Sequence, residues 1–270
     1  EVFEEQLTNQ KLYIVDLVVT KKAITPEALD IEAYVSAVHF SPNDKTLLVK
    51  TQPTALIDDK YMKSQWHIVD AATHKIKTSF ATEGKLGHAE FSKDGKYVAL
   101  HGAQDKHDPA TGRIFLAEIA TGEITDWLPK FQGHVSDFEW SNTRNELYFV
   151  ANIGPQSIIA KIKPGKTSYK TVVKAGKFIA GNLSISDSDK MVVLKGHTAQ
   201  HPNEVFMLRG RKFSETRLTN SNKWLNDIKL AKQESITIKA RDSVEVGGVL
   251  IYPLNHKKGQ RYPLIMSVHG

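Results

Sequence analysis

The sequence has no cysteine in its 270 residues. That excludes disulfides, thiolate zinc sites and thiol nucleophiles, but leaves the compartment open, because exported and cytoplasmic proteins alike do without the residue. No run of about 18 apolar residues occurs, so no helical membrane span is expected. The opening EVFEEQLTNQ is acidic and polar, unlike a secretory leader. No G-x-S-x-G nucleophile elbow is present either. Neither sign of charge dominates: 36 Lys and Arg face 30 Asp and Glu, for a net charge of +6. The basic residues are spread along the chain, many in turns, instead of gathering on one stripe as nucleic-acid binding requires. With 40% hydrophobic and 24% charged residues and no low-complexity tract, a folded, water-soluble protein is expected.

What is there is a repeat. VHFSPNDKTLLVK from Val38, AEFSKDGKYVALH from Ala89, FEWSNTRNELYFV from Phe138 and LSISDSDKMVVLK from Leu183 share one pattern. Each reads as a short alternating strand, a Ser, a tight polar turn and a strongly apolar strand, the signature of a β-hairpin. The anchors Phe40, Phe91, Trp140 and Ile185 recur at about 45 to 51 residues. A second hairpin follows each, with turns at ATHK, ATGE, KPGK and RGRK. Two hairpins per period make a four-stranded antiparallel blade, so the chain is expected to be all-β: a β-propeller of four complete repeats. KLYIVDLVVTKKAITP, Lys11 to Pro26, matches only the second hairpin and predicts a half blade.

Ser92, Ser141 and Ser186 stand just before the turn in their repeats, where a hydroxyl can bond nearby backbone. Trp66, Trp127, Trp140 and Trp224 are expected to fill space between blades. Long links between second and third strands are expected in three blades, KTQPTALIDDKYMKS, HGAQDKHDPATG and KGHTAQHPN. Such links emerge on one face of a propeller, which makes that face the candidate contact surface. It carries Asp58, Asp59, His107 and His197 as candidate substrate-gating residues. His197 and His201 have zinc-like spacing, but in a Pro-flanked loop without the Glu of a metalloprotease motif. Asp105, His107 and Asp108 supply too few oxygen ligands for a calcium loop. Neither metal nor cofactor is expected.

After Thr219 the pattern changes. ESITIKA and EVGGVLIYP alternate as strands, a basic loop NHKKGQR follows, and YPLIMSVHG reads as an apolar strand of the doubly covered kind. This segment resembles the prolyl oligopeptidase family of serine peptidases, most closely its acylaminoacyl-peptidase branch. The matching positions are Leu218, Thr219 and Asn220; Asp242, Gly248, Leu250 and Pro253; and Tyr262, Pro263, Leu264, His269 and Gly270. Ser243 departs from the pattern, standing where the family usually has Gly.

The resemblance implies a partial propeller over 1–227 and a linker with the first strands of a truncated α/β-hydrolase domain over 228–270. It implies that His269 and Gly270 begin an oxyanion loop, that the catalytic Ser, Asp and His lie beyond Gly270, and that this chain alone is inactive. It also implies peptide substrates and the remainder of the hydrolase domain as partner, with an exported enzyme favoured over a cytoplasmic one. Two other readings compete: a propeller that binds a protein or peptide without catalysis, and a five-bladed carbohydrate-active propeller whose acids would include Glu90, Asp137 and Glu139.

Overall fold

In a computed structural model, residues 7–15, 25–107, 110–210 and 213–268 are described. Of the hairpin predicted over Lys11 to Pro26, residues 16–24 lie outside the described residues; β1 (Tyr13–Ile14) pairs antiparallel with β2 (Glu27–Ala28), which follows Pro26. Four sheets of four antiparallel strands follow in chain order. The first holds β3 (Tyr34–Phe40), β4 (Thr46–Gln52), β5 (Gln65–Asp70) and β6 (Ile76–Phe80). The second holds β7 (Leu86–Phe91), β8 (Tyr97–Ala103), β9 (Gly112–Glu118) and β10 (Ile124–Asp126). The third is β11 (His134–Trp140), β12 (Leu147–Ile153), β13 (Gln156–Ile162) and β14 (Lys170–Val173). The fourth is β15 (Ile179–Ile185), β16 (Met191–Thr198), β17 (His201–Arg209) and β18 (Ser214–Arg217). Each strand pairs with its sequence neighbour, the meander of a propeller blade.

The turns explain the repeat. Ser41, Ser92, Ser141 and Ser186 accept backbone N–H bonds from Thr46, Tyr97, Arg144 and Met191, closing the inner hairpins. Three of these turns reach a left-handed residue, Asp44, Gly95 or Asp189, three places after the Ser. Asp and Gly tolerate that region best. The third sheet has Arg144 there and no positive φ; Asp189 of the next blade instead accepts the N–H groups of Asn142 and Thr143.

The core lies between sheets, as stacking requires. Leu29, Ile31 and Val35 meet Leu47, Val49 and Val69 of the first sheet. Trp66 and Phe80 pack on Leu86, Phe91 and Leu100, and Ile114 and Trp127 pack on Phe138, Trp140 and Phe149. Val150 and Ile159 meet Phe178, Leu194 and Phe206. Each buried aromatic removes on the order of 150–250 Å² from water, which makes these seams the main stabilising contacts. Trp66, Trp127 and Trp140 fill seams as expected, whereas Trp224 is 60% exposed on a 3-10 turn, Lys223–Asp227.

Two further expectations are corrected. KGHTAQHPN forms no long link: β16 and β17 continue to Thr198 and His201, which pair across a two-residue turn. The long links are those of the first two blades, and the first contains a short helix, α1 (Ile57–Met62). Beyond the blades, β19 (Gln233–Lys239) and β20 (Glu245–Ile251) form a hairpin. Its turn holds Ser243 at φ 72°, which gives the physical reason for glycine at that position in the resembled pattern. Residues 261–268 form no strand, and Leu264, Ile265 and Met266 are exposed. Apolarity alone does not make a strand; a ladder needs a neighbour to bond, and the described residues provide none there.

Candidate functional site

The first strand of every blade is irregular at the same place. Register shifts occur between Val35 and Ala37, Leu86 and Ala89, Val135 and Asp137, and Gly181 and Ser184. Such bulges re-aim the side chains around them, and those just after them line the inner channel. Two adjoining cavities occupy it, of about 670 Å³ and about 520 Å³, and both are lined by His39 and His88.

The larger cavity is acidic, with Glu90, Asp137 and Glu139 in its wall. Each carboxylate reaches the neighbouring blade: Glu90 accepts from Trp140 N at 3.1 Å, Asp137 from Leu183 N at 2.9 Å and Glu139 from Ile185 N at 3.1 Å. They satisfy donors on the free edge of the next inner strand and so tie consecutive blades together. Burial, reinforced by Glu139 and Asp137, pushes the Glu90 carboxyl up to about 8, and burial raises Glu139 as well. The His88 ring stacks on Phe138 at 4.2 Å between centroids. Solvent reaches His39 and His88, yet partial desolvation against the channel walls lowers both and favours the neutral imidazole.

The smaller cavity is basic. Lys50 and Lys60 line it with Trp66 and Gln52, and among the described residues no carboxylate does. Lys50 donates to Leu86 O at 2.6 Å, and burial followed by the charge of Lys60 lowers its ammonium to about 8. The channel thus sets a wall of carboxyls, of which Glu90 stays largely protonated at neutral pH, a few side chains from a cationic wall, an arrangement that fits a small polar ligand with donors and acceptors better than a uniformly charged one.

Glu90, Asp137 and Glu139, named in the sequence as inner acids, line the larger cavity, whereas the four candidate gating residues lie elsewhere. Asp58 and Asp59 are on α1; Asp59 is buried, accepts the Thr54 hydroxyl at 2.6 Å and pairs with Lys63 at 2.8 Å, so it holds its own loop. His107 is exposed in the second long link, where its N–H bonds Asp105. His197 bonds Asn203 at the end of its hairpin. No hydrogen bond or ion pair among the described residues joins any two of these four. Asp108, His269 and Gly270 lie outside the described residues. Glu90, Asp137 and Glu139 are scattered in the sequence, but Glu90 and Glu139 each precede the blade anchor, and that shared position is the sequence signal that groups them.

Among the described residues no group of three or more His, Asp or Glu is placed to hold a metal. A hydroxyl–imidazole pair exists: buried His67 contacts Ser79 Oγ at 2.8 Å and Thr51 Oγ1 at 2.7 Å. No carboxylate orients it, and burial lowers its imidazole, so it reads as a ladder across β4, β5 and β6 and not as a charge-relay site.

The four-stranded sheets define the class only as a propeller-like fold, and the known proteins that the chain is similar to are peptidases and a puromycin hydrolase. The chain is 23% identical over 210 residues to dipeptidyl-peptidase 5 of Porphyromonas gingivalis, covering 76% of this chain and 30% of the relative. No family model matches. Among solved structures it resembles puromycin hydrolase at 13% identity and a TM-score of 0.61, covering 86% of this chain and 35% of that one. It also resembles a putative dipeptidyl aminopeptidase IV from Bacteroides ovatus at 14% identity and a TM-score of 0.58, covering 94% and 43%. The chain spans between about a third and under half of the proteins it matches.

Proposed function

We propose that the chain is the substrate-gating propeller of a serine peptidase that hydrolyses short peptides through an acyl-enzyme. The observation that carries this reading is the 210-residue likeness to a dipeptidyl peptidase, set beside a channel with opposed acidic and basic walls. A channel of a few hundred cubic ångströms admits a short extended peptide and rejects a folded protein, so selection is by size before chemistry. Residues 1–227 form the propeller, and 228–270 lead into the hydrolase domain. Asp58 and His107 stand on the long-link face where substrate enters.

In the reaction, a Ser hydroxyl outside these residues attacks the peptide carbonyl carbon. A His takes its proton and passes it to the leaving amine; water then releases the acid and restores the Ser. His269 and Gly270 begin the loop whose backbone N–H stabilises the oxyanion. The described part of this chain supplies selection and confinement, not the nucleophile.

The test is to incubate the chain with a serine-reactive fluorophosphonate and with acyl-peptide and dipeptidyl chromogenic substrates. Background hydrolysis and no labelled Ser are expected. Steady turnover with a labelled Ser in this chain contradicts the placement of the triad. A coding sequence with no G-x-S-x-G elbow contradicts the peptidase reading and favours a propeller that binds peptides without cleaving them.

A further inference from the structure

The basic cavity has three features that the blade architecture does not use. Lys50, half-buried, donates to the Leu86 carbonyl and lies 6.0 Å from the Trp66 ring centroid, and neither it nor Lys60 has a carboxylate partner among the described residues. Gln52 is 3% exposed, and its Oε1 has no hydrogen-bond partner among the described residues. Its orientation is fixed, because Nε2 donates to Thr54 O at 2.8 Å and lies 3.5 Å from Leu56 O; turning the amide over would set oxygen against two carbonyls. A buried acceptor left open costs about 1–3 kcal/mol, so it favours a ligand that brings a donor. Trp66, Ala55 and Ile57 supply an apolar wall beside these groups.

We propose that this cavity is a subsite for the free carboxyl end of a peptide. The terminal carboxylate sits between Lys50 and Lys60, the adjoining amide N–H points to Gln52 Oε1, and the terminal side chain lies against Trp66. This deepens the proposed peptide-gating function and rests on it for the identity of the ligand. A cation pair without a counter-ion selects a carboxylate over the neutral amide of a longer chain, because a peptide that continues past this point brings no charge to it. The subsite therefore measures the distance to the peptide end, whereas the channel width measures only cross-section. Two occupied charges also explain why the acidic wall is kept on the far side of His39 and His88, where Glu90, Asp137 and Glu139 do not compete for the lysines.

The experiment is isothermal titration of the whole chain at pH 7 with an N-acetylated alanine tripeptide bearing a free carboxylate, and with its C-terminal amide. Acetylation leaves the carboxylate as the only charge. The acid is expected to bind at least about tenfold more tightly than the amide, and the preference is expected to fade between pH 7 and pH 9.5 as Lys50 loses its proton. Lys50→Met should abolish the preference, Lys50→Arg should retain it, and Gln52→Leu should weaken acid and amide alike; circular dichroism confirms that each variant is folded. The readout is binding and needs no turnover. Equal affinity for the two peptides, no binding of either, or a preference that survives Lys50→Met overturns the subsite while leaving the peptidase reading intact. Absence of peptidase chemistry would leave the subsite standing.

Discussion

Replacing Glu90 with Gln isolates what the inner latches do. The carboxyl moves from an ordinary 4.5 to about 8 because burial disfavours its charge and Glu139 and Asp137 add repulsion. The folded state therefore binds this proton more tightly than the unfolded chain. Its contribution to stability is fully present below about pH 4.5, declines as the pH rises from there, and is lost once the pH passes the folded value near 8. A shift of this size corresponds to at most about 5 kcal/mol, at 1.36 kcal/mol per unit, and solvent at the partly exposed carboxyl reduces it to about 2–4 kcal/mol. Gln cannot ionise, yet its Oε1 can accept from Trp140 N as the carboxyl does. The variant should match the parent near pH 5 and exceed it by about 2–4 kcal/mol at pH 9. Urea unfolding followed by tryptophan fluorescence at pH 5, 7 and 9 measures this. Glu90→Ala escapes the same charge but leaves the Trp140 N–H without its acceptor, so it should lie about 1–3 kcal/mol below Glu90→Gln at every pH. A Glu90→Gln variant with no pH-dependent gain, or one that grows less stable relative to the parent as pH rises, refutes the reasoning.

Ser243→Gly should stabilise the chain by about 1 kcal/mol, since φ 72° strains a side chain but not glycine; thermal unfolding checks it. Asp189→Ala removes the acceptor for Ser141, Asn142 and Thr143 and should cost about 1–3 kcal/mol at neutral pH. Hydrogen bonds from Ser141 and Thr143 hold this carboxyl below its ordinary value despite desolvation, so its contribution is present above pH 3.8 and is lost as the pH falls through the lower folded value. The parent's extra loss of stability in acid should therefore vanish in the variant.

The blades were legible because their determinants are local. A Ser followed three places later by Asp or Gly closes the inner hairpin in three of the four blades, and Asp44, Gly95 and Asp189 have the left-handed backbone that this spacing requires. The channel was legible only in part: Glu90, Asp137 and Glu139 stood out as scattered inner-strand acids, but Glu90 finds Trp140 and Asp137 finds Leu183 across 50 and 46 residues, contacts that no local pattern encodes. Histidines at 197 and 201 look like a loop pair in sequence. A tight turn after Thr198 instead puts both on a hairpin, with His201 paired to Thr198 and His197 bonded to Asn203, because Gln200 N bonds the Thr198 hydroxyl and closes the chain early. Trp224 was assigned to a seam from its residue type alone; a 3-10 turn leaves it 60% exposed. The apolar run at 262–268 shows the limit of hydrophobicity as a predictor, since a strand is made by its partner's backbone as much as by its own side chains.

The channel between the inner strands is proposed to receive short peptides. Among the described histidines, His39 and His88 alone line both of its cavities. Ring-proton NMR of the whole chain during titration with a short free peptide, and with a folded protein carrying the same residues in a surface loop, tests the claim most directly. The account predicts that the peptide shifts the His39 and His88 resonances and leaves His107, His197 and His201 in place, and that the folded protein shifts neither channel ring. Shifts confined to the other histidines, or equal shifts from the folded protein, would contradict it.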